Sequence, residues 1–232
     1  MKFQQYAVFF TLLALSAFCE TSINGDLKLG AGEEHEGSLS TVNGSITIGS
    51  GAKVFGNCST VNGQIEVGYG AKIKGDLTTV NGSITLGEGV RVNEVATVNG
   101  SIEIDHDAHI KGSVETVNGA ITIHAGVRVD RNVGNVNGKI SLDNVMVEGD
   151  LKTAHGGIEL FNETRIKGSI EVRGKKSSFW GTKVPLQIRI ADHSVVQGDI
   201  RVDPKMLQPV QVILENGGEV LGEIVNAEVI RR

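Results

Sequence analysis

The chain has 232 residues, with 40 % hydrophobic content, 31 glycines, 3 prolines and only 4 % aromatic residues. That is the composition of a globular protein whose narrow core is served by tight turns. Its 22 basic and 27 acidic residues leave a net charge of -5, which excludes a global attraction to nucleic acid or to an anionic membrane and leaves anion binding to local patterning.

The first 19 residues, MKFQQYAVFFTLLALSAFC, carry Lys2, an apolar run from Tyr6 to Leu15 and then small residues. This is the pattern of a secretory signal peptide, and the run is too short to span a bilayer. Cleavage after Cys19 places Ala17 and Cys19 at the two small-residue positions; cleavage after Ala17 is the alternative. Lipid attachment at Cys19 would anchor the chain as in bacterial lipoproteins, but Phe18 stands where a small residue is expected. The mature protein is therefore expected to be exported, to the periplasm, cell surface or medium, with no transmembrane segment after signal removal.

From residue 20 a repeat governs the sequence. The glycines of successive Asn-Gly steps or their variants, Gly25, Gly44, Gly63, Gly82, Gly100, Gly119, Gly138 and Gly156, are spaced by 19, 19, 19, 18, 19, 19 and 18 residues. A second corner runs through Gly37, Gly56, Gly75, Asn93, Gly112, Arg131, Gly149 and Gly168, and a third through Gly49, Gly68, Gly87, Asp105, His124 and Asp143. Between corners lie short alternating segments with three apolar columns: Ile46 to Ile158, Ile48 to Leu160, and Val54 to Ile166. Period-2 alternation rich in β-branched residues means strands with one face inward. A coil of 18 to 19 residues is too short for a strand and a crossover helix, so equivalent strands must lie parallel on neighbouring coils.

The expected fold is an all-β, single-stranded parallel β-helix (β-solenoid) with three sides. Roughly ten coils rising about 4.8 Å each make a rod of about 5 nm. Coil length alone leaves its handedness open. Cys58 shares a column with Leu39 and Leu77 and reads as a small core residue. Regular coils are assigned to 20-172. In 173-232 the period loosens, and two or three irregular coils are expected there, with Phe179, Trp180 and the prolines covering the open end, because an uncovered terminal coil is an edge ready to pair.

The alternation of TVNGSI with KGDL and GSV segments, separated by a G-x-G corner, resembles the bactofilin family of polymer-forming bacterial proteins. It is also similar to adhesin-like bacterial β-repeat domains. The resemblance spans residues 22 to 172 and implies a right-handed, three-sided β-helix with a non-enzymatic, scaffold-like role. Unlike bactofilins, which are mostly cytoplasmic, this chain has an export signal.

No nucleophile, base and orienting group recur at a catalytic spacing, so no catalytic, cofactor or metal residue is assigned. The best polar constellation is Asp105, His124 and Asp143 on three consecutive coils, beside His106 and Asp107. Imidazole and carboxylate in that arrangement suit a divalent metal, whereas the structural alternative is a solvated corner. Lys53, Lys72, Arg91, His109, Arg128 and Arg165 fall at one outward position interrupted by Met146, with Lys74, Lys111 and Lys167 two residues later. This basic edge suits an anionic envelope polymer, or it simply keeps a long sheet soluble. Thr41, Thr60, Thr79, Thr97 and Thr116 also stack; facing outward they would form an array like that of ice binders, whereas alternation from Leu39 would point Thr41 inward, in conflict with Val42, and the sequence leaves the two orientations open. Asn43, Asn81, Asn99, Asn57 and Asn162 begin glycosylation-like triplets, although Asn recurs at Asn62, Asn118 and Asn137, where no Ser follows. The chain is thus expected to be a structural or adhesive envelope protein. The alternatives are a self-associating, polymer-forming scaffold, or a carbohydrate-binding or carbohydrate-active module with its site in 173-205, lined by Trp180, Lys175, Lys176 and Arg189.

Overall fold

The computed structural model describes residues 19-174 and 184-232. It is all β: three parallel sheets of 11, 11 and 10 strands form the walls of a solenoid whose coils are numbered here from 1 at the N-terminus. The first wall runs from Cys19–Ser22 to Ile224–Val225, the second from Leu27–Leu29 to Glu228–Arg231, and the third from Glu34–His35 to Glu219–Val220. Each strand pairs with its equivalent one coil away, so like lies on like: Ile84 is in register with Ile65 below and Ile102 above. Stacking at this register buries the second-wall isoleucines almost completely. Apolar burial along three walls, rather than any local propensity, therefore sets the period.

The Thr-Val-Asn-Gly unit resolves into four tasks. Thr points inward and Val outward, so Thr41, Thr60, Thr79, Thr97 and Thr116 are buried and form no exposed array. Each buried Thr hydroxyl donates to a Gly carbonyl one coil below: Thr60 to Gly44 at 2.8 Å, Thr79 to Gly63 at 3.0 Å and Thr97 to Gly82 at 3.0 Å. That satisfies a polar group which the close stacking would otherwise strand. Asn points outward and stacks. Gly is required by proximity, because a Cβ on Gly82 would lie 1.9 Å from the carbonyl oxygen of Gly63.

The other corners use different devices. At the G-x-G corner the left-handed position is held by Gly51, Gly70, Gly89 and Gly126, and by Asp107 and Asn144, residue types that tolerate positive φ. At the second corner a short polar side chain accepts a backbone N–H from the next coil: Ser38 from Asn57, Asn57 from Asp76, Asn132 from Asp150, Asp150 from Ser169 and Ser169 from Asp199. Burial raises the Asp150 carboxyl pKa. The Ser169 N–H and the Lys152 ammonium outweigh this and hold it below the usual carboxylate range. A depressed carboxylate contributes stability above its unfolded pKa and loses it as pH falls through the folded one. Asp150→Asn should therefore be less stable than the parent at neutral pH, and the gap between their denaturant midpoints should close on acidification. A gap independent of pH would rule out the charge as the cause.

The pairing of the walls continues after Glu171. Leu186–Ile190 pairs with Ile158–Phe161, with Ile188 on Ile158, and Ile200–Val202 pairs with Ile170–Val172 in unbroken register. The longer intervals arise at one corner alone, where residues 173-185 and 203-209 replace the short Asn-Gly turn. The three prolines, expected over the open end, sit in these two insertions. Phe179 and Trp180 lie outside the described residues. At the C-terminal end Leu221, Val225 and Val229 are exposed.

Candidate functional surface

The outward positions of the third wall carry a column of basic residues. Strand register places Lys53, Lys72, Arg91, His109, Arg128, Met146 and Arg165 in one column, spaced about 4.8 Å by the sheet. The column is not uniform. Lys53 pairs with Glu34 at 2.5 Å. Arg128 pairs with Asp130 at 2.7 Å and Glu148 at 2.8 Å; Glu148 also holds Lys167, at 2.7 Å. His109 Nε2 lies 2.8 Å from Asp130. Asp130 and Glu148 sit two residues beyond Arg128 and Met146, on the same face, and are the acids that counting only the basic positions overlooks.

The electrostatics follow this layout. The hydrogen bond from Lys167 lowers the Glu148 carboxyl, helped by Arg128. For Asp130, burial raises the pKa, but bonds from His109 and Arg128 prevail and keep it ionised. Arg128 and Lys167 on the upper half are thus neutralised within the ledge, whereas Arg165 has no ion pair among the described residues. Lower down, Lys72, Lys74, Arg91 and Lys111 have no ion pair among the described residues, and Lys74 Nζ rests 4.3 Å above the Phe55 ring. The run of cations without an ion pair is therefore longest on the lower half, across coils 3 to 5, with Arg165 standing alone above it. A shallow cleft of about 250 Å³ lies on the upper half, lined by Arg128, Met146, Glu163 and Arg165 among others.

The polar G-x-G corner is assembled differently from a metal site. The His106 and His124 rings stack with centroids 5.6 Å apart, and His106 Nδ1 lies 2.5 Å from Asp105 Oδ1. The His106 backbone N–H, then its ring, lowers the Asp105 pKa. Asp143 instead accepts from Asn162 at 2.7 Å, and His124 Nε2 stands 3.7 Å from Glu103. Among the described residues no three His, Cys, Asp or Glu side chains converge to hold an ion.

Cys58 is buried, and burial pushes its thiol up to about 12, so at neutral pH it is a packed thiol rather than a nucleophile. Arg189, assigned above to a groove with Trp180, Lys175 and Lys176, is engaged by Glu215 and by the Phe161 ring 5.2 Å away; the other three residues lie outside the described residues, as do residues 1-18, on which the expected signal peptide falls. Among the described residues no helix is long and apolar enough to cross a membrane. Compared with protein-family models, curated proteins and solved structures, the chain gives no match.

Proposed function

We propose that this protein is an exported, non-enzymatic β-solenoid that serves the cell envelope as a rigid structural or adhesive element and acts through its surface. The observation that carries this reading is the unbroken register of three walls through all coils, in which the recurring residues are spent on stacking: Thr on a carbonyl, Asn on Asn, Gly on the chain below. Arrays of this kind present long, regular faces, and their stability is additive along one dimension. Cell fractionation combined with mass spectrometry of the mature N-terminus tests the reading; recovery of an uncleaved chain in the cytoplasm would overturn it.

The lower ledge specifies a partner within that role, an anionic envelope polymer running along Lys72, Lys74, Arg91 and Lys111. Each such cation near an anionic surface contributes about 1 kcal/mol, so converting Lys72, Arg91 and Lys111 to Gln should weaken co-sedimentation with purified anionic envelope polymer about a hundredfold. Unchanged, salt-independent sedimentation would leave the ledge with a solubility role only. A polymer-forming scaffold is favoured by one separate observation, the exposed Leu221, Val225 and Val229 on the terminal coil, since an uncovered sheet end is a template for pairing. Negative-stain microscopy separates the readings: filaments support the scaffold, and discrete rods of about 5 nm count against it.

A further inference from the structure

The outward asparagines form an unbroken amide ladder through coils 1 to 7. Asn43 Nδ2 donates to Asn24 Oδ1, Asn62 to Asn43, Asn81 to Asn62, Asn99 to Asn81 and Asn118 to Asn99, each at 2.9 Å, and Asn137 donates to Asn118 at 2.7 Å. Every one of these residues precedes a glycine. Asn-Gly is the sequence most prone to deamidation, because the following nitrogen has no neighbouring side chain to hinder its attack. The corner cannot avoid it, since a Cβ at Gly63, Gly82, Gly100 or Gly119 would each lie 1.9 Å from a carbonyl oxygen of the coil below.

Five of the seven steps are locked. The N–H groups of Gly44, Gly63, Gly82, Gly100 and Gly119 donate to the Asn carbonyl of the next coil at 3.0 to 3.2 Å. Their asparagine amides are also held from above and below. Among the described residues Gly25 and Gly138 make no such bond and Asn24 and Asn137 are each held by a ladder partner on one side only; Gly138 has φ +113°. We infer that Asn24 and Asn137 are the sites of spontaneous deamidation on the folded protein, and that damage spreads from Asn137 but not from Asn24.

The chemistry balances with water as the only co-reactant. The Gly138 nitrogen bonds to Cγ of Asn137 and gives up its proton; the Cγ–Nδ2 bond breaks and ammonia leaves. Water then opens the cyclic imide at either carbonyl, giving an aspartyl or an isoaspartyl linkage with no change in oxidation state. The polarity of the ladder makes the two ends unequal. At Asn24 the new carboxylate still accepts from Asn43, so the ladder holds. At Asn137 the donor to Asn118 is lost, an anion faces the Asn118 carbonyl oxygen, and the isoaspartyl product lengthens the corner backbone. The Asn118-Gly119 step then becomes the open end.

Ageing the mature protein in mildly alkaline buffer and mapping its peptides by mass spectrometry tests this. In the folded protein Asn24 and Asn137 should deamidate at least about tenfold faster than Asn62, Asn81 and Asn99, since each interior step must first break its hydrogen bonds; in denaturant the seven rates should converge. Asn137→Asp should accelerate loss at Asn118, and Asn24→Asp should leave Asn43 unchanged. Since Asn137 lies in mid-rod, end fraying does not mimic the pattern. Equal rates in the folded state, or an Asn118 rate indifferent to Asn137→Asp, would overturn the inference.

Discussion

Gly82→Ala is expected to cost about 3–5 kcal/mol, placing it among the most damaging single methyl additions the molecule can receive. The added Cβ would meet the Gly63 carbonyl oxygen at 1.9 Å and its carbon at 2.6 Å. Both atoms belong to backbone that is itself hydrogen-bonded to the coils around it, so neither can move without opening the stack. Gly89→Ala is the matched control. Gly89 has φ +70° and only one atom within 4 Å, at 3.9 Å, so Ala there should cost only the left-handed penalty of about 1–2 kcal/mol. Thermal or denaturant unfolding of the two variants should rank them widely apart. Equal losses would mean that close approach of the coils is not what demands glycine at the Asn-Gly corner.

Ile102→Ala should cost about 3–4 kcal/mol, the range for deleting a large aliphatic side chain that its surroundings cannot refill. Ile102 is completely buried, with Ile84 directly beneath and Ile121 directly above. Because coils contact mainly their neighbours, the cavity weakens the coupling between the two halves of the rod. The expected signature is a lower denaturant midpoint together with broadening or splitting of the transition. Leu27→Ala provides the comparison, since among the described residues Leu27 in coil 1 has an in-register partner only above, Ile46. It should lose less and keep a single transition. A larger loss at Leu27 would contradict a stack strengthened by neighbours on both sides.

Much of this was legible because a solenoid presents the same environment once per coil, so a residue's role is printed repeatedly. The isoleucine columns, the three corners and the parallel stacking of Cys58 between Leu39 and Leu77 all come from counting. The basic ledge was legible as a column but not as a charge distribution. Pairing depends on side chains reaching between coils, as Arg128 reaches Glu148 and Lys167 reaches the same carboxylate from the next coil up.

The region after Glu171 shows the converse. Counting fails there because insertions at one corner stretch the interval, yet Ile188, Ile190, Ile200 and Val202 keep the inward alternation. Sheet pairing is local to each wall and indifferent to the path the chain takes at a corner. The sequence by itself determined the period, the three-walled stack and which apolar columns fill it, because those depend on repetition and alternation alone. Only the tertiary structure decided that Thr41 and its equivalents turn inward to reach a glycine carbonyl, that Lys53, Arg128 and Lys167 of the basic edge are neutralised, and that Asn24 and Asn137 end a ladder. Each of these depends on which atoms of one coil come within bonding distance of the next.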